Sequence, residues 1–392
     1  MAPKRLQTRQ AGGVQLQWVD SPEALNAVVD QLVTQPRYAL DTEFHGERTY
    51  WPRLALVQLA WPGNIALVDP LAIDPAPFAR VLSGPGCMVA HAADQDLAIL
   101  ERACGALPTH LFDTQVAAGF MGLGTPSLAA AVERLLKTRL AKGDRLTDWT
   151  RRPLRDEQQA YAAADVEYLL ALADTETQRL ESTGRTQWAL DECEERRKRV
   201  RSRPDPNTAW WRIKGARQLR GNSRAVAQSV AAWRERAAEA LDVPPRYVLS
   251  DLALAGVINR PPHTRDELTG IRGIDGRLRD GMANDLLAAI AAGTELDPAE
   301  LRLPEPDRVD RSLAPAVTVL GAWLSQRAAE LDLDPSLLAT RAELSDLLQG
   351  RPSRLGAGWR AELVGEPLQR LLKGEASLVL CDGGRRIELQ DN

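Results

Sequence analysis

Residues 38–68 hold three β-rich runs with no helix between them: Tyr38–Phe44, Leu54–Trp61 and Asn64–Val68. The last two are joined through Trp61-Pro62-Gly63-Asn64, the composition of a hairpin turn. Strands packed so closely in sequence commit the N-terminal part to a sheet, and the flanking patterns decide how it is covered. Before them, Val14–Val19 alternates apolar and polar residues. Asp20-Ser21-Pro22-Glu23 then supplies a capping oxygen, a first-turn proline and a carboxylate near the dipole's positive end, which predicts a helix start. After them, the short apolar run Cys87–Ala90 leads into a helix from about Ala93 to Arg102. Helical patterns then dominate at Thr114–Met121, at Ser127–Lys137 and in one long segment from Arg155 to Leu180. Strands with interleaved and then prevailing helices predict one α/β layered domain.

The character changes after about Asp191. Arg196–Arg203 (RRKRVRSR) carries six basic residues and no acid, and Pro204-Asp205-Pro206 ends it, so the domain boundary is set here. The remainder reads as helices joined by Pro/Gly-rich links, with Leu303-Pro304-Glu305-Pro306 as a second linker. It contains a repeat. Ala232-Trp233, Leu241-Asp242-Val243 and Pro245 recur ninety positions later as Ala322-Trp323, Leu331-Asp332-Leu333 and Pro335. Matched Trp, Asp and Pro at one offset predict two copies of a small helical module.

Composition removes several classes. A hydrophobic share of 44% and a charged share of 26% are those of soluble globular chains, not of disordered, collagen-like or disulfide-stapled ones. The formal net charge of −4 offers no global attraction to a polyanion, so such a partner must be held by local basic patches or bound cations. Cys87, Cys104, Cys193 and Cys381 form no C-x-x-C pair and read as free thiols of a reducing cytoplasm. The basic N-terminus has no apolar core after it, and no run approaches the roughly 18 apolar residues of a membrane helix. A soluble, cytoplasmic protein is expected.

Asp41-Thr42-Glu43 closes the apolar run Tyr38-Ala39-Leu40. On a strand, positions i and i+2 face the same side, so two carboxylates project together from a buried element. That is costly unless something positive lies between them, and a divalent metal is the usual remedy. With acids at 53 of 392 positions a chance D-x-E is common, and alone this pair carries no site. Two further groups follow. Met88–Leu97 (MVAHAADQDL) is a strand entering a helix with Asp94 and Asp96 in its first turn, which the helix dipole would also explain. Tyr161-Ala162-Ala163-Ala164-Asp165 places a phenol and a carboxylate on one helical face, which a surface hydrogen bond would also explain.

The ordered set resembles the proofreading-exonuclease (DEDD-type) family, with D-x-E on a strand, H-x(4)-D at a strand–helix junction and Y-x(3)-D on a late helix. The segments Ala39–Phe44 (ALDTEF), Tyr50–Leu59 (YWPRLALVQL), Thr147–Leu154 (TDWTRRPL) and Tyr161–Val166 (YAAADV) are similar to bacterial ribonuclease D. The C-terminal copies resemble the helicase-and-ribonuclease-D C-terminal (HRDC) domain, the first more clearly than the second. The resemblance implies a ribonuclease-H-like α/β exonuclease domain at 1–200, followed by two all-α HRDC-like modules at 201–300 and 301–392. It implies that Asp41, Glu43, Asp96 and Asp165 ligate two divalent ions and that Tyr161 orients the attacking water. The family's acid stands five residues after the histidine, which selects Asp96 and leaves Asp94 second. In-line phosphodiester hydrolysis needs a generated hydroxide and a neutralised leaving oxygen, which two ions supply. An all-oxygen site suits Mg²⁺ or Mn²⁺ better than zinc.

Other residues carry less. His91 reads as structural, and His45 as part of a solvated loop. Gln58 serves either a sheet-edge hydrogen bond or substrate. Arg151, Arg152 and Lys142-Gly143 are candidate phosphate contacts or plain surface charge, and Gly122-Leu123-Gly124 is no nucleotide loop. Arg196 to Arg220 carries ten positive residues and one negative, with Trp210-Trp211 inside, the composition of a single-strand binding surface. At least one of those tryptophans is expected in the core instead.

The expected function is a metal-dependent 3′→5′ exoribonuclease acting on RNA with a free 3′ end, tRNA precursors above all, as a monomer without membrane contact. The alternatives are a DNA 3′→5′ exonuclease of the same superfamily and a non-catalytic nucleic-acid-binding protein on a nuclease scaffold. Four intact acids argue against the second. All the acids precede residue 170, so a chain ending near Val200 is expected to fold and cleave short RNA.

Overall fold

A computed structural model of the chain describes residues 8–11, 14–140, 147–199, 205–274, 280–303 and 311–392. The central sheet has seven strands: β1 (Thr8–Ala11), β2 (Val14–Val19), β3 (Arg37–His45), β4 (Arg53–Trp61), β5 (Asn64–Val68), β6 (Cys87–Ala90) and β7 (His110–Asp113). Their spatial order is β1-β2-β5-β4-β3-β6-β7. β4 and β5 form the expected hairpin, pairing antiparallel from Trp61↔Asn64 to Val57↔Val68. β2 pairs parallel with β5, and β3, β6 and β7 are parallel neighbours. β1 and β7, four residues each, were not read from the sequence.

The helices of this part are α1 (Pro22–Leu32), α2 (Ala79–Leu82), α3 (Asp94–Cys104), α4 (Thr114–Gly119), α5 (Leu128–Leu136), α6 (Asp156–Glu167), α7 (Leu169–Ser182) and α8 (Thr186–Lys198). α1 begins as its sequence dictates, with the Ser21 hydroxyl accepting from the Ala24 amide at 3.3 Å. The single helix expected over 155–180 is two, α6 and α7, which meet at Tyr168 with φ −99° and ψ −6°. α6 packs on the sheet through Ala55, Leu56, Leu67, Trp149, Leu154 and Ala162.

Beyond α8 lie α9 (Asn222–Ala240), α10 (Pro245–Val248), α11 (Asp251–Asn259), α12 (Arg265–Thr269) and α13 (Asp280–Thr294). After residue 311 come α14 (Ala314–Glu330), α15 (Pro335–Leu338), α16 (Arg341–Leu348), α17 (Gly358–Arg360) and, past a π-helical turn, α18 (Glu366–Leu372). The chain then forms a hairpin of β8 (Ala376–Cys381) and β9 (Arg386–Asp391). The C-terminal part is therefore not all-α, a correction to the expected fold class. Alternating Ile387 and Leu389 opposite Leu380 and Leu378 are its strand signal.

The repeat has a structural counterpart. Trp233 lies on α9 and Trp323 on α14; Asp242 and Asp332 follow in left-handed conformations, φ 48° and 49°; Pro245 and Pro335 open the four-residue helices α10 and α15.

The described residues form two compact units. One contains the chain to Glu43, Leu54 through α8, and everything from 311 onward. The other contains 44–53 with the elements between 205 and 303. In the second, α9, α11 and α13 close over Trp210, Val226, Val230, Leu254, Leu286 and Ile290, with Tyr50 packed against them.

Within the first unit the C-terminal segment packs on exonuclease elements. The Trp359 ring sits 5.3 Å from that of Phe120 and is stacked at 5.2 Å on Trp188. The buried Glu192 carboxylate receives Arg360 and, at 3.2 Å, Arg354. Arg185 reaches the carbonyl of Phe120 at 2.9 Å and that of Leu331. Gly122 is explained here, since a Cβ on it would collide with the Asp332 carboxylate. These contacts place residues 311–392 in the same compact unit as the exonuclease elements. Among the described residues no helix is long and apolar enough to cross a membrane.

Candidate active site

β3 and β6 pair in parallel over Arg37–Ala39 and Cys87–Val89. Asp41 and Glu43 lie two and four residues beyond the last of these pairs, where β6 ends and the chain turns into α3. The carboxyl ends of neighbouring parallel strands are where open α/β sheets hold ligands. Asp96, in the first turn of α3, is buried. The hydroxyl of Thr42, between the two β3 acids, donates to Asp96 Oδ1.

Asp94 takes another path. Its side chain is 67% exposed and faces Arg196 Nε at 3.5 Å. Only Asp96 of the two is turned toward the β3 acids.

The turn before α3 is held by Asp113, fully buried at the end of β7. Its carboxylate accepts from the amides of Ala92 (3.1 Å) and Ala93 (2.9 Å), caps α4 through Gln115 and Val116, and pairs with Arg196 at 3.1 Å. Ala92 sits at φ 61°, a left-handed conformation that a residue with a Cβ adopts only when neighbours hold it there. Asp113 thus fixes the register at which α3 begins.

On α6, Ala162 and Val166 are buried in the core while Tyr161 and Asp165, one turn apart, are partly exposed. The Tyr161 ring stacks on buried Trp149, with centroids 6.1 Å apart and planes at 30°. Trp149 is fixed by Arg152, which donates to its carbonyl (2.7 Å), to the carbonyl of Ala55 (2.6 Å) and to both oxygens of Asp69 (2.7 and 2.8 Å).

The four acids act on one another. Burial pushes Asp41 well above the usual carboxylate range, and the charges of Asp96, Asp165 and Glu43 push the same way. Glu43 is raised to about 8 by burial and then by Asp165 and Asp96. Asp96 is raised to about 7 by burial, opposed by the Thr42 hydrogen bond. As placed, no three such side chains among the described residues converge closely enough to grip an ion. The donor set nonetheless fits a hard dication: it is all oxygen, and its mutual repulsion is what a cation relieves.

The remaining candidates fall elsewhere. His91 Nε2 is 3.0 Å from the Pro126 carbonyl and Nδ1 is 2.8 Å from the Thr114 hydroxyl, and burial lowers its pKa. Arg152 is held by Asp69 and so is not the phosphate contact considered for it; Arg151 remains exposed beside Asp148 at 3.4 Å. Gln58 is fully buried on β4, between β5 and β3 and not at a sheet edge, and its amide finds no hydrogen bond among the described residues. His45 is half-buried. Lys142-Gly143 lies outside the described residues. Trp210 is core, and both Trp210 and Trp211 donate to the carbonyl of Arg302, at 3.2 and 2.7 Å. Thr42, Asp113 and Trp149 had been assigned no role from the sequence; their signals are a threonine between two acids, an Asp-Thr opening a helix and the tryptophan of the TDWTRRPL segment.

Residues 16–182 match the family model described as 3′–5′ exonuclease, and residues 223–290 match that of the HRDC domain. A ribonuclease D of Acidiphilium cryptum is 34% identical over 95% of this chain and 96% of its own length. One from Jannaschia sp. is 37% identical over 92% of this chain and 96% of its own. The chain belongs to the ribonuclease D family. It is a 3′–5′ exoribonuclease, with a ribonuclease-H-like exonuclease domain, an HRDC domain and a C-terminal region rich in helices. The crystal structure of Escherichia coli RNase D, described as an exoribonuclease involved in structured RNA processing, superposes with a TM-score of 0.81 at 32% identity, over 92% of this chain and 99% of that one. The catalytic core of RRP6 from Trypanosoma brucei shares the fold at a TM-score of 0.60 and 23% identity. The acidic set lies inside the exonuclease match.

Proposed function

We propose that this ribonuclease D family member removes nucleotides from RNA 3′ ends at the site formed by Asp41, Glu43, Asp96, Asp165 and Tyr161, and that tRNA precursors are among its substrates. The grouping of acids brought from β3, α3 and α6 carries this reading: the Thr42 hydroxyl holds Asp96 against β3, and Asp41 and Glu43 both feel the charges of Asp96 and Asp165. A structural role would pair such acids with cations; here the leading influences on Asp41 and Glu43 are burial and other carboxylates.

The same four residues would hold two divalent ions, Mg²⁺ or Mn²⁺. Bound there, the ions supply the Lewis acidity that generates a nucleophile from water and neutralises the leaving oxygen. Thr42 keeps Asp96 turned inward, and Asp113 sets where α3 starts. Tyr161, its ring braced by Trp149, offers a hydroxyl to orient the attacking water and steady its proton. The domain reading is an exonuclease part, an HRDC module within 201–300 and a second, divergent HRDC copy within 301–392. The matched Trp, left-handed Asp and Pro positions support that second copy. A reducing, cytoplasmic setting accords with the four free cysteines; a monomer is the proposed state.

The test uses RNA and DNA oligonucleotides labelled at the 5′ end, with Mg²⁺, with Mn²⁺ and with EDTA. Stepwise shortening of RNA, abolished by chelator, supports the reading. Binding without cleavage in either metal refutes it, and preferential shortening of DNA would reassign the substrate.

A further inference from the structure

The segment that follows Glu43 does not return directly along the sheet. Residues 44–53 belong to the HRDC-containing unit. They are fastened there by Tyr50, whose amide donates to Asp242 at 3.2 Å and whose hydroxyl donates to Glu235 at 2.7 Å, and by the Trp51 indole N–H to Glu239 at 3.2 Å. Between this segment and α10 runs an open groove of about 800 Å³, lined by Gly46, Glu47, Arg48, Pro244, Arg246 and Tyr247.

Three features of the groove point to one ligand chemistry. Tyr247 is 61% exposed, unusual for a large aromatic side chain with no core to fill. The Arg246 guanidinium lies over its ring, 5.4 Å from the centroid, so an aromatic face and a cation are already paired. Among the described residues neither Arg48 nor Arg246 is engaged in an ion pair. Of the basic stretch that begins in α8, by contrast, Arg196 pairs with Asp94 and Asp113, Arg197 and Lys198 with Glu194, and Arg212 with Glu235.

We propose that this groove binds single-stranded RNA upstream of the 3′ end, with one base stacked on Tyr247 and phosphates against Arg48 and Arg246. An exposed ring with adjacent guanidiniums is how sequence-tolerant single-strand sites are built. The hydrogen bonds of Tyr50 and Trp51 hold the two walls together before RNA arrives, so little ordering is needed on binding. Glu47 is the groove's one acid and opposes phosphate. The inference rests on the exoribonuclease reading and names where its substrate is held.

Binding of 5′-fluorescent RNA, a trinucleotide and a 12-mer, is measured by anisotropy in EDTA, where no cleavage intervenes. The wild-type chain should favour the 12-mer. Tyr247→Ala should weaken 12-mer binding by about 5- to 100-fold, the range found for one stacked base, and Tyr247→Trp should retain it. Arg48→Ala with Arg246→Ala should flatten the salt dependence by a slope of roughly 0.7 per lost contact. Glu47→Gln should tighten binding, a change of opposite sign that loss of folding would not produce. Arg385→Ala, which removes an exposed charge from the β8–β9 hairpin, serves as the control. Undiminished 12-mer affinity in Tyr247→Ala, or no tightening in Glu47→Gln, overturns the groove. Failure of the catalytic reading would show separately, as absence of cleavage by the wild-type chain in Mg²⁺ and Mn²⁺.

Discussion

The Thr42 hydroxyl on β3 donates to Asp96 on α3, tying the first acidic motif to the second across 54 residues of chain. Because Thr42 sits between Asp41 and Glu43, one hydrogen bond sets how far the Asp96 carboxylate stands from both. Thr42→Val, which keeps the shape and loses the donor, should lower kcat by about 10- to 100-fold, the worth of a hydrogen bond to a charged group. Thr42→Ser should restore most of it. Equal turnover in the valine and wild-type chains would make the contact incidental.

Asp41→Ala, Glu43→Ala, Asp96→Ala and Asp165→Ala should each cut turnover by about 10²–10³ or more, as loss of preorganised charge does, with the fold intact by circular dichroism. Asp94→Ala should keep nearly full activity, since Asp94 is exposed and faces Arg196. Activity lost with Asp94 and kept without Asp96 would reverse the assignment.

Glu43 is raised to about 8, Asp96 to about 7, and Asp41 is raised as well, so the metal-free site retains protons at neutral pH. A dication needs the deprotonated carboxylates, and its binding must release those protons. Affinity for Mn²⁺ should therefore climb between pH 6 and 9, by roughly tenfold per unit for each proton released. Calorimetry in buffers of different ionisation enthalpy counts the protons; an affinity independent of pH would contradict this state of the site.

Glu176 on α7 is fully buried, and neither carboxylate oxygen finds a hydrogen bond among the described residues. Burial and the charge of Asp113 raise it to about 9, opposed by Arg179. Its folded pKa lies above the unfolded one, so its contribution to stability is fully present below about pH 4.5 and is lost as pH rises toward 9. Glu176→Gln should raise the melting temperature at pH 8 by several degrees and change it little at pH 4.5 to 5. An equal effect at both pH values would show that Glu176 is already ionised in the fold.

Arg360→Ala removes the guanidinium that Glu192 receives in a buried pair. Breaking such a pair costs about 3–5 kcal/mol, a fall in melting temperature on the order of 10 °C. Adding Glu192→Gln to that background should recover part of the loss by removing a buried charge left with Arg354 as its remaining partner. A chain ending at residue 199 exposes Phe120 and Trp188 besides, and should aggregate instead of standing alone as a nuclease; a soluble truncated chain with wild-type stability would refute this.

The strands β2–β6, the start of α1 and the order of the acidic motifs were legible in the sequence. Each rests on local regularities: alternation along a strand, a cap and a proline at a helix start, fixed spacing within a motif. The repeat was legible for the same reason, since Trp233 and Trp323, or Asp242 and Asp332, each hold the same place in a short pattern. Partners distant in the chain left no such trace. That Asp96 turns inward while Asp94 turns out depends on Thr42 from one strand and on Asp113 at the end of another. Arg152, by sequence a candidate phosphate contact or plain surface charge, is held instead by Asp69, 83 residues away. The contacts of Trp359 with Phe120 and Trp188, more than 170 residues earlier, left no trace in the sequence either. Secondary structure is dictated by neighbours in sequence, which one chain displays; charge pairing and burial are dictated by neighbours in space, and only the tertiary fold chooses those.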